Sequence, residues 1–232
     1  LRLPGEEELA ELAELAAEGV HEPDRMPFTV PWSDLPPADR ARSVVRHHWL
    51  RRGNWSPEEW ALNLVVFDHG QVVGLQTITA RDFAVLRQVS TASWLGARFQ
   101  RQGIGTEMRA AVLQLAFAGL DALEALSGAF EDNASSFTVS MKHGYELDGI
   151  ERHVVRGRPA TMRRLRLTRA RWETHRHVPV SIVGLSPTSM QRVPASANAA
   201  SSRAVPPWPA TTPAPATIRT WSRTGRLSGA TT

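Results

Sequence analysis

The chain has 232 residues, a formal net charge of +4 and no cysteine, which excludes disulfides, thiolate metal sites and a cysteine nucleophile. Five arginines and no acidic residue lie between Ser186 and Thr232, so subtracting those five from +4 leaves residues 1–185 with a net charge of −1. This balance disfavours a nucleic-acid partner, including one bound through the arginine-rich segment 152–176.

The C-terminal segment differs in composition from the rest. From Ser186 to Thr232 the chain is rich in Ser, Thr, Pro and Ala and shows neither a helical nor a strand period. Such a segment buries too little apolar surface to offset its ordering entropy, so we expect disorder there and a folded domain over residues 1–185.

The sequence has no apolar run near the roughly 18 residues of a membrane span, and the acidic start at Glu6–Glu8 is unlike a signal peptide. We expect a soluble cytoplasmic protein, with a homodimer left open.

Two amphipathic helices are predicted in the first third of the chain. Leu1–Leu3 alternates like a short strand, and the helical run after it ends near Gly19. Its inward residues are Leu9, Leu12, Ala13 and Ala16. A proline-rich loop from Pro23 to Pro37 leads into a second helix, which begins at Pro36-Pro37. The predicted inward residues of that helix are Ala41, Val44, Val45 and Trp49.

Strand and helix patterns alternate through the remainder of the folded part. Strands are predicted at 62–67, 72–79, about 85–95, 121–130, from 144 onward and up to about 167, and helices at 105–118, 133–143 and 168–176. Residues 68–71 are the turn of a hairpin, and residues 156–158 form a second turn. The strand–helix–strand unit at 90–130 predicts one parallel pair in an otherwise antiparallel α/β sheet.

A glycine-rich segment connects a predicted strand to the helix 105–118. Its sequence is Gln100-Arg101-Gln102-Gly103-Ile104-Gly105-Thr106. Unpaired N–H groups and the positive end of the helix dipole make such a turn an anion site, and glycines allow a phosphate to approach the main chain. A Rossmann fingerprint would need a small residue at Met108, and a Walker A loop would need a Gly-Lys-Ser/Thr ending, so neither motif is present. Alone, the segment is equally consistent with a helix that merely follows a glycine-rich turn.

A second motif lies one predicted strand later. Asn133 can cap a helix start, and Gly144 can end that helix before Tyr145 re-enters the core. The polar positions between them are Ser136, Ser140 and Lys142. Taken alone, this pattern favours a capped helix with no functional role.

Together, the Gln-x-x-Gly-x-Gly loop and the Asn-x-x-Ser helix start with its Lys-His-Gly-Tyr ending resemble the GCN5-related N-acetyltransferase (GNAT) superfamily, and within it the ribosomal-protein-alanine RimJ/RimL type. The resemblance covers about residues 1–180. It implies an α/β GNAT fold with a mixed, mostly antiparallel sheet of six to seven strands, a central splayed parallel pair and about four flanking helices. It also implies acetyl-CoA as cosubstrate and no metal.

The resemblance implies where acetyl-CoA is held. The diphosphate would lie on N–H groups of Gln102, Gly103, Ile104, Gly105 and Thr106, with Arg101 available for a phosphate oxygen and Gln100 beginning the loop. The pantetheine amides would pair like an extra strand with residues 90–95. Asn133 and Ser136 would form the other wall, and Trp94, Leu95 and Phe130 would keep the thioester dry.

The catalytic groups are less clearly marked. A backbone N–H near Leu95 is expected to polarise the thioester carbonyl. Many relatives place a tyrosine seven residues after the asparagine to protonate the thiolate; here that position is Ser140, which we interpret as a group that positions the sulfur, or as a helix serine without ligand contact. No general base stands out among Glu131, Asp132 and His143, which are more often structural in such places.

Two functions from different classes follow. The first is transfer of an acetyl group to a primary amine, either a small molecule or a protein N-terminus. The second is a catalytically silent domain that binds acyl-CoA or a partner, because the usual tyrosine and an obvious base are missing. The aromatic residues of the N-terminal region either line the acceptor pocket or pack the second helix onto the sheet; they are Phe28, Trp32, Trp55 and Trp60.

Overall fold

The computed structural model describes residues 1–185 together with the backbone of residues 217–220. The central sheet has six strands in the order β1-β2-β3-β4-β6-β5. These strands are β1 Glu59–Asp68, β2 Gln71–Arg81, β3 Gln88–Leu95, β4 Glu124–Phe130, β5 Glu146–Val155 and β6 Arg158–Thr168. The helices are α1 Glu6–Glu18, α2 Pro37–Gly53, α3 Phe83–Leu86, α4 Ile104–Gln114, α5 Ala134–Lys142 and α6 Arg169–His175. The mixed α/β sheet predicted from the sequence is therefore confirmed.

One parallel pair interrupts an otherwise antiparallel sheet. Strands β3 and β4 pair in parallel only from Gln88 to Ser90 against Glu124 to Leu126. Beyond those residues, and within the described part of the chain, β3 pairs only with β2, and β4 only with β6. The two strands consequently diverge and leave an opening between residues 91–95 and 127–130, which we call the splay. The parallel connection exists because α4 carries the chain across the sheet between β3 and β4.

Helices cover both faces of the sheet. Leu64 and Ile78 belong to the core that contains Val112 and Phe117 of the α4 segment, whereas the next residue, Val65, packs with the apolar side of α1. Successive strand residues point to opposite faces, so α4 and the pair α1–α2 lie on opposite sides. The α4 helix continues through a π-helical turn at Leu115–Gly119.

Several predicted elements differ in detail from the observed ones. Residues 83–86 form a short helix, flanked by positive φ at Asp82 and Arg87, so β3 begins at Gln88 instead of about Val85. Leu1–Leu3 is reduced to a single antiparallel bridge between Arg2 and Val65. The other predicted strands and helices of residues 1–176 are present within a few residues of their expected ends.

The inward face of α2 was predicted wrongly at one position. Trp49 is 57% exposed, and His48 is 1% exposed in its place. The inward stripe runs through Ala41, Val44, Val45 and His48, which is the i, i+3, i+4, i+7 spacing of a helix face, and Trp49 falls outside it. Burial lowers the pKa of His48 to about 4, with smaller contributions from His47 and Arg52.

Two short strands follow the main sheet. Strand β7, Val180–Val183, pairs antiparallel with β8, Thr217–Thr220. Strand β8 lies within the segment expected to lack secondary structure; the other residues of that segment are outside the part of the chain that the structure describes. Side chains of Ile182 and Leu185 pack against Gly119, where a Cβ would come within 3.2 and 2.9 Å of them.

Candidate functional site

The glycine-rich segment forms the N-terminus of α4, as predicted. Gly103 is the N-cap residue with φ 91°, and Arg101 also has a positive φ of 63°. The first helical hydrogen bonds are made by the N–H groups of Thr106 and Glu107, which both donate to Gly103 O at 2.9 and 3.2 Å. The helix start therefore presents earlier N–H groups, those of Ile104 and Gly105 among them, to an anion.

Gly105 has no structural reason within the described chain to be glycine. Its φ is not positive, and an added Cβ would meet only Leu95 Cδ1 at 3.9 Å and Val139 Cγ2 at 4.0 Å, which are ordinary contacts. Glycine inside a helix is less favourable than alanine by about 1 kcal/mol. The space that Gly105 leaves free thus suits a ligand that closely approaches the helix start.

The two glutamines of the segment hold the loop in place. Gln100 Nε2 donates to Val20 O at 2.7 Å and to Leu95 O at 3.0 Å. Gln102 Nε2 donates to Arg98 O at 2.8 Å. Both amide groups therefore stabilise the turn, and direct cofactor contact through their side chains stays a prediction.

Arg101 is the cation available at this helix start. It is exposed, and within residues 1–185 its side chain makes neither a hydrogen bond nor an ion pair. The neighbouring Arg98, in contrast, is already paired with Glu18. Arg101 is thus positioned to meet a phosphate oxygen without breaking a contact of the fold.

The end of β3 presents main-chain groups to the splay. Gly96 N–H donates to Val73 O of β2 at 3.0 Å, and the Trp94 carbonyl oxygen lies against Gly74 of β2. Amide directions alternate along a strand, so the N–H groups of Ser93 and Leu95 point away from β2, toward the splay. The described chain has no strand paired with β3 on that side beyond Ser90.

Helix α5 forms the second wall, with Asn133 as its N-cap. Asn133 Oδ1 accepts from Ser136 N–H at 3.1 Å, as the motif predicted. Ser140 is fully buried, and its hydroxyl donates to Ser136 O at 3.1 Å. This is the contact expected of a helix serine without a ligand, so its hydroxyl proton is already committed.

His143 joins the ends of α5 and α4. It is 3% exposed, and its Nε2 lies 3.0 Å from Thr106 O, which requires the Nε2–H tautomer as donor. Burial lowers the pKa of His143 to about 4, and the hydrogen bond to Thr106 opposes that shift in part. A neutral, buried histidine tied to the glycine-rich turn is a structural clamp and not a base facing an acceptor.

The opposite face of the splay is bordered by a row of aromatic rings. The row runs from His21 through Phe28 and Trp32 to Trp94, with ring centroids 5.8, 5.1 and 5.8 Å apart. Of the other aromatic residues considered from the sequence, Trp60 packs against Phe83 elsewhere in the core. The predicted aromatic set is therefore divided, and only part of it lies beside β3.

Residues 19–36, between α1 and α2, form a bridging loop across the open end of the splay. The aromatic row connects this loop to β3, while its Met26 is buried with Phe130 of β4 and Val155 of β5. Arg156, in the turn between β5 and β6, donates from Nε to Asp34 Oδ2 at 2.8 Å and from Nη1 to Pro23 O at 3.0 Å. The hydrogen bond from Arg156 lowers the pKa of Asp34.

Sequence reasoning missed a titratable pair on β5 near this loop. His153 Nε2 lies 3.2 Å from Glu151 Oε2, and the His153 ring stands edge-on to Phe130 at 5.9 Å. The i, i+2 spacing on a strand was the available signal, because it places both side chains on one face. Glu131, considered as a base from the sequence, lies 3.8 Å from Arg163 Nε, and Asp132 is exposed.

No group of three or more His, Asp or Glu side chains is arranged to hold a metal ion in the described part of the chain. Among those residues no helix is both long and apolar enough to cross a bilayer.

Comparisons with known proteins agree with this geometry. A family model described as an acetyltransferase (GNAT) domain matches residues 1–146. A GCN5-related N-acetyltransferase from Brucella melitensis superposes with a TM-score of 0.58 at 20% sequence identity, over 75% of this chain and 77% of that one. The ribosomal-protein alpha-N-acetyltransferase RimL, solved with coenzyme A, superposes with a TM-score of 0.59 at 16% identity, over 72% and 92%.

At these identities the structural likenesses establish the fold alone, whereas the family match spans more than half of the chain. It includes β3, the glycine-rich turn, α4, β4 and all of α5. The chain belongs to the GNAT acetyltransferase domain family.

Proposed function

We propose that this protein transfers the acetyl group of acetyl-CoA directly to a primary amine within a ternary complex. The acceptor is a small-molecule amine or a protein N-terminus, as in the RimJ/RimL type. The observation that carries the proposal is the α4 start, where Gly103 supplies a positive φ and Gly105 leaves space that the described chain does not use.

The residues of the turn suit the diphosphate of CoA. Donors at the helix N-terminus and Arg101, which has no ion-pair partner among residues 1–185, are complementary to two negatively charged phosphates. Along β3, the N–H groups of Ser93 and Leu95 are available to amides of the pantetheine arm in the manner of an added strand. Asn133 and Ser136 begin the facing helix, and the apolar Leu95 and Phe130 restrict water near the thioester.

The acceptor enters from the face of the bridging loop in this proposal. The aromatic row borders β3, and Met26 with Phe130 borders β4, so an amine between them meets the splay from the side opposite α4. The pair His153–Glu151 on β5 is a candidate to take a proton from the acceptor nitrogen, so that a neutral amine attacks the thioester. A backbone N–H near Leu95 is the candidate donor to the carbonyl oxygen during attack, and that of Ser93, two residues earlier on β3, points the same way.

The test begins with calorimetric titration of the purified full chain with acetyl-CoA. A screen of polyamines, amino acid amides and N-terminal peptides then follows CoA release. We expect saturable binding of acetyl-CoA and turnover with at least one amine. Failure to bind acetyl-CoA would remove the proposal.

One observation favours a second candidate, a catalytically silent acyl-CoA-binding domain. The Ser140 hydroxyl, at the position where many relatives carry a tyrosine, donates into its own helix. Binding of acetyl-CoA without turnover on any amine, and without faster hydrolysis of the thioester, would support this candidate over the first.

A further inference from the structure

A buried cation lies under the splay. Arg109, in the second turn of α4, is 3% exposed. Its Nη1 donates to Ser127 Oγ at 3.0 Å, and its guanidinium carbon lies 5.9 Å from the centre of the Tyr145 ring. Within residues 1–185 no carboxylate pairs with it, and its buried Nε has no hydrogen-bond partner. A buried charge without a counter-ion is strongly unfavourable, which calls for an explanation.

The position of Arg109 identifies the part of the site that it serves. Ser127 is the first β4 residue beyond the last β3–β4 pair, Ser90–Leu126. On the β3 side Thr91 Oγ1 donates to Leu126 O at 3.3 Å and lies 3.4 Å from the Tyr145 hydroxyl. Arg109 therefore lies at the narrow end of the splay, on the α4 side.

A ligand that follows β3 from the glycine-rich turn moves toward this narrow end. Strand β3 runs from the pairing at Ser90 up to Leu95 and then into the turn. A chain anchored by its phosphates at the α4 start and paired with the free edge of β3 thus passes Leu95 first and ends toward Thr91. The terminal sulfur of CoA is the part of the ligand that is directed at Arg109.

We propose that Arg109 is a further catalytic residue, whose guanidinium stabilises the negative charge that forms on the CoA sulfur during acyl transfer. The inference rests on the proposed function. It names a role for a residue that lies four positions beyond Gly105 on the inward side of α4. Such a charge would replace the tyrosine that many relatives carry at the position of Ser140, since the Ser140 hydroxyl is a weak acid and already donates to Ser136 O.

The step balances without a redox partner. The amine nitrogen forms a bond to the acyl carbon, the carbon–sulfur bond breaks, and its electron pair remains on the sulfur as thiolate. The proton lost by the nitrogen goes to a base or to water, and the thiolate later takes one from solvent. Arg109 stays protonated throughout and contributes charge and a hydrogen bond.

The test uses binding, so it does not depend on knowing the acceptor. Full-length protein is titrated calorimetrically with CoA and with desulfo-CoA between pH 6.5 and 9.5. A cysteine thiol has a pKa of about 8.5, which serves as the reference for the CoA thiol. Each unit by which binding lowers the pKa of that thiol is a tenfold preference for the thiolate. If binding lowers the pKa of the thiol by about one unit, we expect the ratio of CoA affinity to desulfo-CoA affinity to rise about sevenfold between pH 6.5 and pH 9. In Arg109→Met this rise should vanish, and in Arg109→Lys it should persist in part.

Other titratable groups near Arg109 are covered by the same comparison. His143 and Tyr145 face it, His177 stacks on His143, and Lys142 adjoins His143. With a pKa of about 4, His143 is neutral throughout the range. Tyr145 and Lys142 are unchanged in Arg109→Met, so any part of the pH-dependent rise that they cause would persist in that variant.

The outcomes are distinct. A wild-type ratio that does not change with pH, or one that rises equally in Arg109→Met, overturns the role of Arg109 while leaving acetyl-CoA binding intact. If succinyl-CoA instead binds more tightly than acetyl-CoA, and Arg109→Met removes that preference, the guanidinium serves an acyl carboxylate and the assignment to sulfur is wrong. Failure of both CoA and desulfo-CoA to bind overturns the proposed function itself.

Discussion

At Gly105 the fold and the proposed ligand favour different residues. A Cβ at this position has room in the described structure, so the helix would gain from alanine. Gly103 does not allow this separation, because its φ of 91° strains any other residue. Gly105 is consequently the position at which the cofactor assignment can be tested without damaging the protein.

Gly105→Ala is expected to raise the free energy of unfolding by about 0.5–1 kcal/mol and to weaken acetyl-CoA binding at least tenfold. Urea unfolding and calorimetric titration measure the two quantities. The matched control is Gly53→Ala at the end of α2, where an added Cβ meets nothing within 4 Å and so, as at Gly105, has room. Undiminished acetyl-CoA affinity in Gly105→Ala would contradict the assignment of the α4 start as the phosphate-binding site.

Two buried histidines make stability depend on pH. Burial lowers the pKa of both His48 and His143 to about 4, whereas the unfolded chain protonates them near 6.5. Between those values the unfolded state binds more protons, so their contribution is complete above about pH 7 and is lost as pH falls from 6.5 toward 4. At pH 5 each histidine should have removed about 2 kcal/mol from the free energy of unfolding.

His143→Gln should remove about 2 kcal/mol of the loss between pH 7.5 and pH 5, because the amide can still donate to Thr106 O but does not titrate. His48→Leu should remove a similar share. Urea unfolding at the two pH values measures both effects. His69→Gln, at a side chain that is 89% exposed, serves as the control. An unchanged pH dependence in the first two variants would show that His143 and His48 do not cause the loss of stability at low pH.

Among the elements, the bridging loop decides what can reach the splay. It has little regular structure beyond a 3₁₀ turn at Trp32–Asp34, so its position depends on contacts at both ends. Arg156 supplies one of them from the β5–β6 turn, through Asp34 and Pro23. The loop thereby holds Phe28 and Trp32 beside Trp94.

Arg156→Ala should release this loop. Trypsin cleavage after the exposed Arg25 is expected to become several-fold faster, while the acetyl-CoA dissociation constant changes less than about twofold, since the glycine-rich turn is untouched. Arg164→Ala is the control on the same hairpin, because Arg164 contacts only Asp148 and Glu151 there. Equal cleavage rates in the two variants would show that Arg156 does not position the loop.

For the whole molecule, the described core extends at least to Leu185. Ile182 and Leu185 pack against Gly119 and so belong to the main core. Strand β8 adds a backbone partner to β7 from within the compositionally biased segment. A boundary near residue 185, predicted from composition, thus stays a prediction, with β8 as a feature that composition does not indicate.

Truncation after Leu185 should preserve acetyl-CoA affinity and cost about 1–2 kcal/mol of unfolding free energy, because β7 loses its backbone partner β8. Truncation after residue 178 should cost about 3 kcal/mol more, since it uncovers the apolar surface under Ile182 and Leu185. Thermal and urea unfolding of both forms compare these costs. A similar loss of unfolding free energy in both truncated forms would contradict a domain boundary near residue 185.

Local chemistry alone specified much of this protein. The glycine-rich turn, the Asn133 cap and the hairpin turn at His69-Gly70, where both residues have positive φ, depend on neighbouring residues, so the sequence was sufficient to predict them. The paired motifs also indicated the GNAT family, which the family match confirms.

Tertiary structure decided the features that depend on residues far apart. Only packing showed that His48 replaces Trp49 on the inner face of α2, and that Arg156 reaches a loop 122 residues earlier in the chain. The burial of Arg109 is also a tertiary feature. Its position on the helix predicts an inward side chain, whereas its charge favours an exposed one. Arg109 is buried, without a counter-ion among residues 1–185, beside Ser127 at the point where β3 and β4 diverge. A local sequence pattern contains no information on this contact between α4 and β4.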